Sequence, residues 1–263
     1  MCIRDRAKVG DTEVISRGVL AAGTIHDTVR DTMMVAVAVP VPFKFKGVFE
    51  SIFGAQGSTF YRRYTIIRND YKGPLTATMA DTQGRHLQGV TCKPLPVPDG
   101  TDQFDFKIQL PPWLEIGRTS RTQMLLVGVI TDPDGTRHKV SFTSKEQSDQ
   151  TVVLATSGLV GVNTSTSSII AHPGSTIELP FTVSRGTGAG GAGVVELVLP
   201  AHVRGVSATP VKLTPGQTNG KISIRFGKSR LGPFNQSLKV RARITDARGD
   251  QLIGETAFEI VTE

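Results

Sequence analysis

A chain of 263 residues with 38% apolar residues, 28 glycines and 15 prolines has material for about two compact cores, and its many chain breakers favour short strands over long helices. No run of about 18 apolar residues occurs, so no helical membrane span is expected within it. The formal charge of +7 is scattered, without the aromatic interleaving of a single-strand platform or a recognition helix, which argues against nucleic acid as a partner.

Taken in chain order, residues 1–6 read as a translated sequencing adapter and are set aside from the fold. A signal peptide is then expected upstream of the present chain, and with it an extracellular, periplasmic or cell-surface location. Residues 7–41 read as the C-terminal part of a preceding β module, with 31–40 as its final strand and Pro40, Val41 and Pro42 as a stiff connector. Two complete modules follow, at 42–150 and 157–263. Both carry apolar residues at every second position, as in Phe104, Phe106, Ile108 and Leu110, which puts one face in a core and the other in water. Turn residues at 69–70, 72–74, 98–100, 133–135, 215–216 and 248–249 break the strands.

The two modules repeat one another. Residues 58–66 align with 175–183, and Phe106, Ile108 and Leu110 fall over Ile222, Ile224 and Phe226. The turn at 130–135 matches 244–249, always about 115 residues apart. A period that long is one whole sandwich rather than a solenoid unit of about 20 to 50 residues. The predicted class is all-β, with tandem immunoglobulin-like β-sandwich domains. Polar residues at 156–158 and 163–168 separate the copies, so a loosely jointed pair is expected.

The run from Gly57 through Asn69, Asp70, Tyr71, Lys72, Gly73 and Pro74 to Leu75, with Gly89 and Val90 downstream, resembles the Ig-like modules of large secreted bacterial proteins that also carry pre-peptidase C-terminal domains. The resemblance implies an exported, multi-module protein with no catalytic residues in these modules. The second copy departs from it, since a glycine-rich passage at 185–193 replaces the Asn-Asp-Tyr-Lys-Gly stretch.

No constellation for catalysis or metal binding emerges. The histidines, His26, His86, His138, His172 and His202, are isolated, and Cys2 and Cys92 lack metal-ligand spacing. Asp132 and Asp134 superficially suggest a calcium loop, yet the continuation lacks its spaced acidic ligands, and Arg248 replaces Asp134 in the second copy. The glycines at 186–193 have no Gly-Lys-Ser/Thr ending. No catalytic residue, metal or cofactor is therefore assigned. The expected function is a non-catalytic structural or protein-interaction segment of a larger extracellular or cell-surface bacterial protein. Its expected partners are neighbouring modules and an unidentified protein or polysaccharide. Carbohydrate binding is the alternative, with Tyr71 and Trp113 as candidate contact rings.

One further candidate comes from comparing the copies. Met124, Leu126 and Ile130 match Leu238, Val240 and Ile244 as core positions. The opposite face carries Leu125, Val127 and Val129 in the first copy but Lys239, Arg241 and Arg243 in the second. The apolar row is a candidate interaction face, covered by a loop, by the preceding module or by a partner, while the charged row should meet water.

Overall fold

The computed structural model describes residues 2–9, 12–19, 40–46, 50–80, 89–117, 119–143 and 151–262. It divides into two compact units, 1–39 and 40–263. In the first, β1 (Cys2–Val9) pairs antiparallel with β2 (Thr12–Val19), Cys2 opposite Val19. β1 thus includes residues read above as adapter. The strand expected at 31–40 lies outside the described residues, apart from Pro40.

The second unit holds both sandwiches. The C-terminal one is the more regular. One sheet runs β13 (Val160–Thr164), β15 (Thr176–Arg185), β19 (Asn219–Phe226), β17 (Val206–Ala208). The other runs β14 (Ser168–Ile170), β21 (Gln251–Val261), β20 (Leu238–Thr245), β16 (Gly193–Val198), β18 (Val211–Leu213). This is the strand order of an immunoglobulin-like sandwich, with strands one, two, four and five of the basic fold on one sheet and the rest on the other. Alternation explains the core: Leu179, Phe181 and Val183 from β15 and Ile222, Ile224 and Phe226 from β19 face Val195, Leu197, Leu238, Val240 and Ile244 across the sheets, all buried.

The N-terminal sandwich repeats this plan. β3 (Lys44–Lys46), β5 (Thr59–Ile67) and β8 (Gln103–Gln109) form one sheet, and β11 (Arg137–Thr143), β10 (Met124–Thr131), β6 (Leu75–Met79) and β7 (Leu95–Val97) another. β4 (Glu50–Ala55), β12 (Thr151–Thr156) and β9 (Thr119–Thr122) make a third. Its core is separate and gathers Tyr64, Ile66, Phe106, Ile108, Leu110, Met124 and Leu126. The first sandwich runs past the expected boundary at 150, because β12 pairs parallel with β4 from the same module. In the second copy the single long strand β21 does the work of β11 and β12 together, pairing first with β20 and then, in parallel, with β14. No helix among the described residues is long and apolar enough to cross a membrane.

Both copies fasten the same corner with an arginine. The Arg68 guanidinium, after β5, donates to the carbonyls of Gly73 (2.8 Å), Pro98 (2.9 Å) and Thr101 (3.0 Å). Arg185, ending β15, donates to those of Ala189 (2.8 Å), Gly191 (2.7 Å) and Gln217 (3.0 Å). The glycine-rich passage of the second copy is therefore a loop clamped by its own first residue, the counterpart of the Asn-Asp-Tyr-Lys-Gly turn and not a departure in architecture.

Candidate functional site

The linker between the sandwiches is only Ser157, Gly158 and Leu159, and Leu159 packs on the second core. The polar residues 163–168 lie inside the second sandwich, running from the end of β13 through a short loop to the start of β14. The loose joint expected from composition is not what forms, because the modules meet directly. Gly57 turns the chain out of β4 at φ 65°, a conformation that glycine enters without Cβ strain. Its carbonyl accepts the Ile253 amide at 2.8 Å. A Cβ on Gly57 would sit 1.8 Å from the Ile253 carbonyl oxygen, so only glycine allows the two backbones to approach this closely.

Beside that contact, Tyr61 and Lys107 stand opposite one another on the outer face of β5 and β8. Both donate to Asp250, Tyr61 Oη at 2.7 Å and Lys107 Nζ in a short ion pair. Asp250 is presented by a tight turn in which the Asp246 carboxylate accepts the amides of Arg248 and Asp250, both at 2.8 Å. The Arg248 guanidinium lies over the Tyr61 ring, 5.5 Å from its centre. Asp250 is 4% exposed, and a buried carboxylate is tolerated only when its charge is met by donors.

Burial pushes the Asp250 carboxyl up, but the hydrogen bonds from Lys107 and Tyr61 and the charges of Lys107 and Arg248 outweigh it and hold it below its ordinary range. The hydrogen bond to Asp250 raises both Lys107 and Tyr61. A lowered carboxyl adds stability above its ordinary pKa of about 3.9, lost as pH falls through the lowered value. The raised Lys and Tyr groups add stability below about 10, lost as pH rises through their raised values. Docking, followed by energy transfer between dyes on the two sandwiches, is expected to be flat from about pH 5 to 9 and to fall away below about pH 4. A midpoint near neutrality would point to another tie.

Next to the tie the modules enclose a cleft of about 240 Å³. The first sandwich contributes Gly57, Thr59, Thr91, Gln109 and the Pro111–Trp113 turn; the second contributes Arg241, Gln251, Ile253 and Glu255. Arg241 and Glu255 face each other across β20 and β21 and pair at 2.6 Å, with the Glu255 side chain 8% exposed.

The structure brings Trp113 to this cleft but not Tyr71. Trp113 is 64% exposed, held at the tip of a turn closed by Leu114 N–H to Pro111 O (3.3 Å). Tyr71 packs edge-on against Phe43, and its hydroxyl accepts the Val129 amide (3.2 Å) and donates to the Val129 carbonyl (3.1 Å). Leu125 and Val127 are half-buried and Val129 is 39% exposed. Leu125 and Val127 lie mid-sheet between Thr78 and Thr76 on β6 and Thr143 and Ser141 on β11, while Val129 stands opposite Lys139 on β11. The charged row of the second copy meets more than water: Arg241 pairs with Glu255, and Arg243 with Glu196 at 3.1 Å.

His26 and His86 lie outside the described residues. The His138 ring pairs with Asp132 at 2.8 Å, and Asp134 accepts the Thr136 amide at 2.8 Å, so both carboxylates shape their turn. Cys92 is a free, half-buried thiol that burial pushes up. Among the described residues no group of three or more His, Cys, Asp or Glu side chains is placed to hold a metal ion.

No family model and no curated protein matches this sequence. Among solved structures, a protein of unknown function from Porphyromonas gingivalis W83 is similar at 11% identity, covering 83% of this chain and 99% of that one with a TM-score of 0.29. The titin domains Z1Z2 in complex with telethonin are similar at 14% identity, with 84% and 97% covered and a TM-score of 0.23. Calcium-binding domain CBD12 of CALX1.1 follows at 14% identity, with 77% and 80% covered and a TM-score of 0.27. Likeness at this level bears on no ligand or partner of the present chain, and the fold assignment rests on its own strand order.

Proposed function

We propose that this chain is a non-catalytic structural and interaction segment of a larger extracellular or cell-surface bacterial protein, in which each sandwich docks rigidly on the next. The observation that carries this reading is the junction: a backbone contact through Gly57 and a carboxylate, Asp250, buried between Tyr61 and Lys107. A simple tether needs neither. Secretion and the company of pre-peptidase C-terminal domains rest on the resemblance of the run from Gly57 to Leu75.

The same reading gives the apolar row a partner. In the second sandwich the outer face of β20 and β21, with Arg241, Ile253 and Glu255, receives the preceding module. Val127 and Lys139 occupy the places of Arg241 and Ile253 in the first, since Ile130 opposes His138 as Ile244 opposes Leu252. Leu125, Val127 and Val129 therefore form the seat for a further module of this kind in the same polypeptide.

Residual dipolar couplings from the two sandwiches are the test of the rigid pair. Fitting to one alignment frame is expected; two independent frames would reduce the segment to beads on a string.

A further inference from the structure

We propose that the cleft between the sandwiches binds a short stretch of a neutral polysaccharide chain. The inference rests on the docked pair described above, because each module supplies only one wall.

Trp113 supplies the ring. Pro111 and Pro112 fix the backbone before it, and Gly89, at φ 86°, lies under it where a Cβ would come within 3.1 Å of the indole. The ring is thus seated on glycine, and the residue is 64% exposed. Single exposed apolar side chains are ordinary, but this one is a large ring on a stiff turn, and it borders hydrogen-bonding groups. The C–H face of a sugar ring stacks on such an aromatic surface, while its hydroxyls need planar donors and acceptors at the edges. Gln109 and Gln251 offer amides, Thr91 a hydroxyl, and the Arg241–Glu255 pair both a fork of donors and a carboxylate.

Charge sets the ligand class. Arg241 and Glu255 cancel, and among the described residues no other ionisable side chain lines the cleft, so these residues do not reward a uronic acid over a neutral hexose. At about 240 Å³ the space falls short of the roughly 300 Å³ where sites for drug-sized ligands begin. It suits a small part of a chain whose remainder stays in water.

Isothermal titration calorimetry with the hexasaccharides of β-1,4-glucose, β-1,4-xylose, β-1,4-mannose, α-1,4-glucose and β-1,4-N-acetylglucosamine tests this. At least one is expected to bind with a dissociation constant of about 1 mM or tighter, weakened about tenfold or more by Trp113→Ala. Gln251→Ala should weaken the same sugar, with the dipolar couplings unchanged. Gly57→Ala, which parts the modules, should abolish binding. The proposal is overturned if none of the five binds at about 10 mM, if Trp113→Ala leaves affinity intact, or if the parted variant binds as well as the parent. Two alignment frames in the parent protein would instead remove the docked pair itself, and the cleft with it.

Discussion

Replacing Gly57 by alanine is expected to separate the two sandwiches while leaving each folded. Two costs arise at this position. An L-residue at φ 65° pays about 1–2 kcal/mol for the left-handed conformation. The added methyl also meets the Ile253 carbonyl oxygen at 1.8 Å, a backbone atom that cannot rotate away. The second copy supplies the control. Gly174 sits in the same turn at φ 78°, where its follower Ser175 accepts and donates as Ser58 does in the first copy. A Cβ on Gly174 meets only Lys228 Cγ at 3.5 Å, an ordinary contact. Gly174→Ala should therefore pay the conformational cost alone. Small-angle scattering and dipolar couplings should show parted modules for Gly57→Ala and a docked pair for Gly174→Ala. Equal behaviour of the two variants would mean that strain in the turn, not close approach, governs the junction.

The second large effect is expected from Phe106→Ala. Phe106 is fully buried in the first core and touches Tyr64 and Phe104 edge-on. Truncating such a ring costs about 3–5 kcal/mol, a large part of the roughly 5–15 kcal/mol that holds a typical domain. Because the cores share no residue, the loss should fall on the first sandwich. Trp113, the only tryptophan, lies in that sandwich, so its fluorescence should follow the weakened module in urea. The far-ultraviolet signal should retain a second, later transition. One shared transition, displaced as a whole, would show that the two cores unfold together.

Strands and repeat were legible because they are local. The alternation of Phe104, Phe106, Ile108 and Leu110 determines which side chains face inward, and the match to Ile222, Ile224 and Phe226 follows from spacing alone. The junction was not legible. Lys107 reads as the water-facing partner in an alternating strand and Asp250 as one more turn residue, and nothing local joins positions so far apart in sequence. Composition is a poor guide to the linker, since the polar residues at 163–168 end β13 and begin β14 inside the second sandwich. Arg241 was read correctly as outside the core, yet outside the core meant facing a neighbour. The paired clamps Arg68 and Arg185 both stand two residues past the matched runs 58–66 and 175–183, but the glycine-rich residues after the second one differ in sequence where the architecture is the same.

The parallel pairing of β4 with β12 bears on how the segment behaves under tension. Beyond the short strand β3, the chain enters at the start of β4 and leaves at the end of its parallel neighbour β12. A pull along the polypeptide therefore slides the two strands past one another rather than peeling them apart. Six residue pairs, Glu50 with Thr151 through Ala55 with Thr156, share that shear at once. In the second sandwich β14 and β21 offer three. Stretched between two anchors, the N-terminal module should be the stiffer link, and the C-terminal one the fuse that yields first.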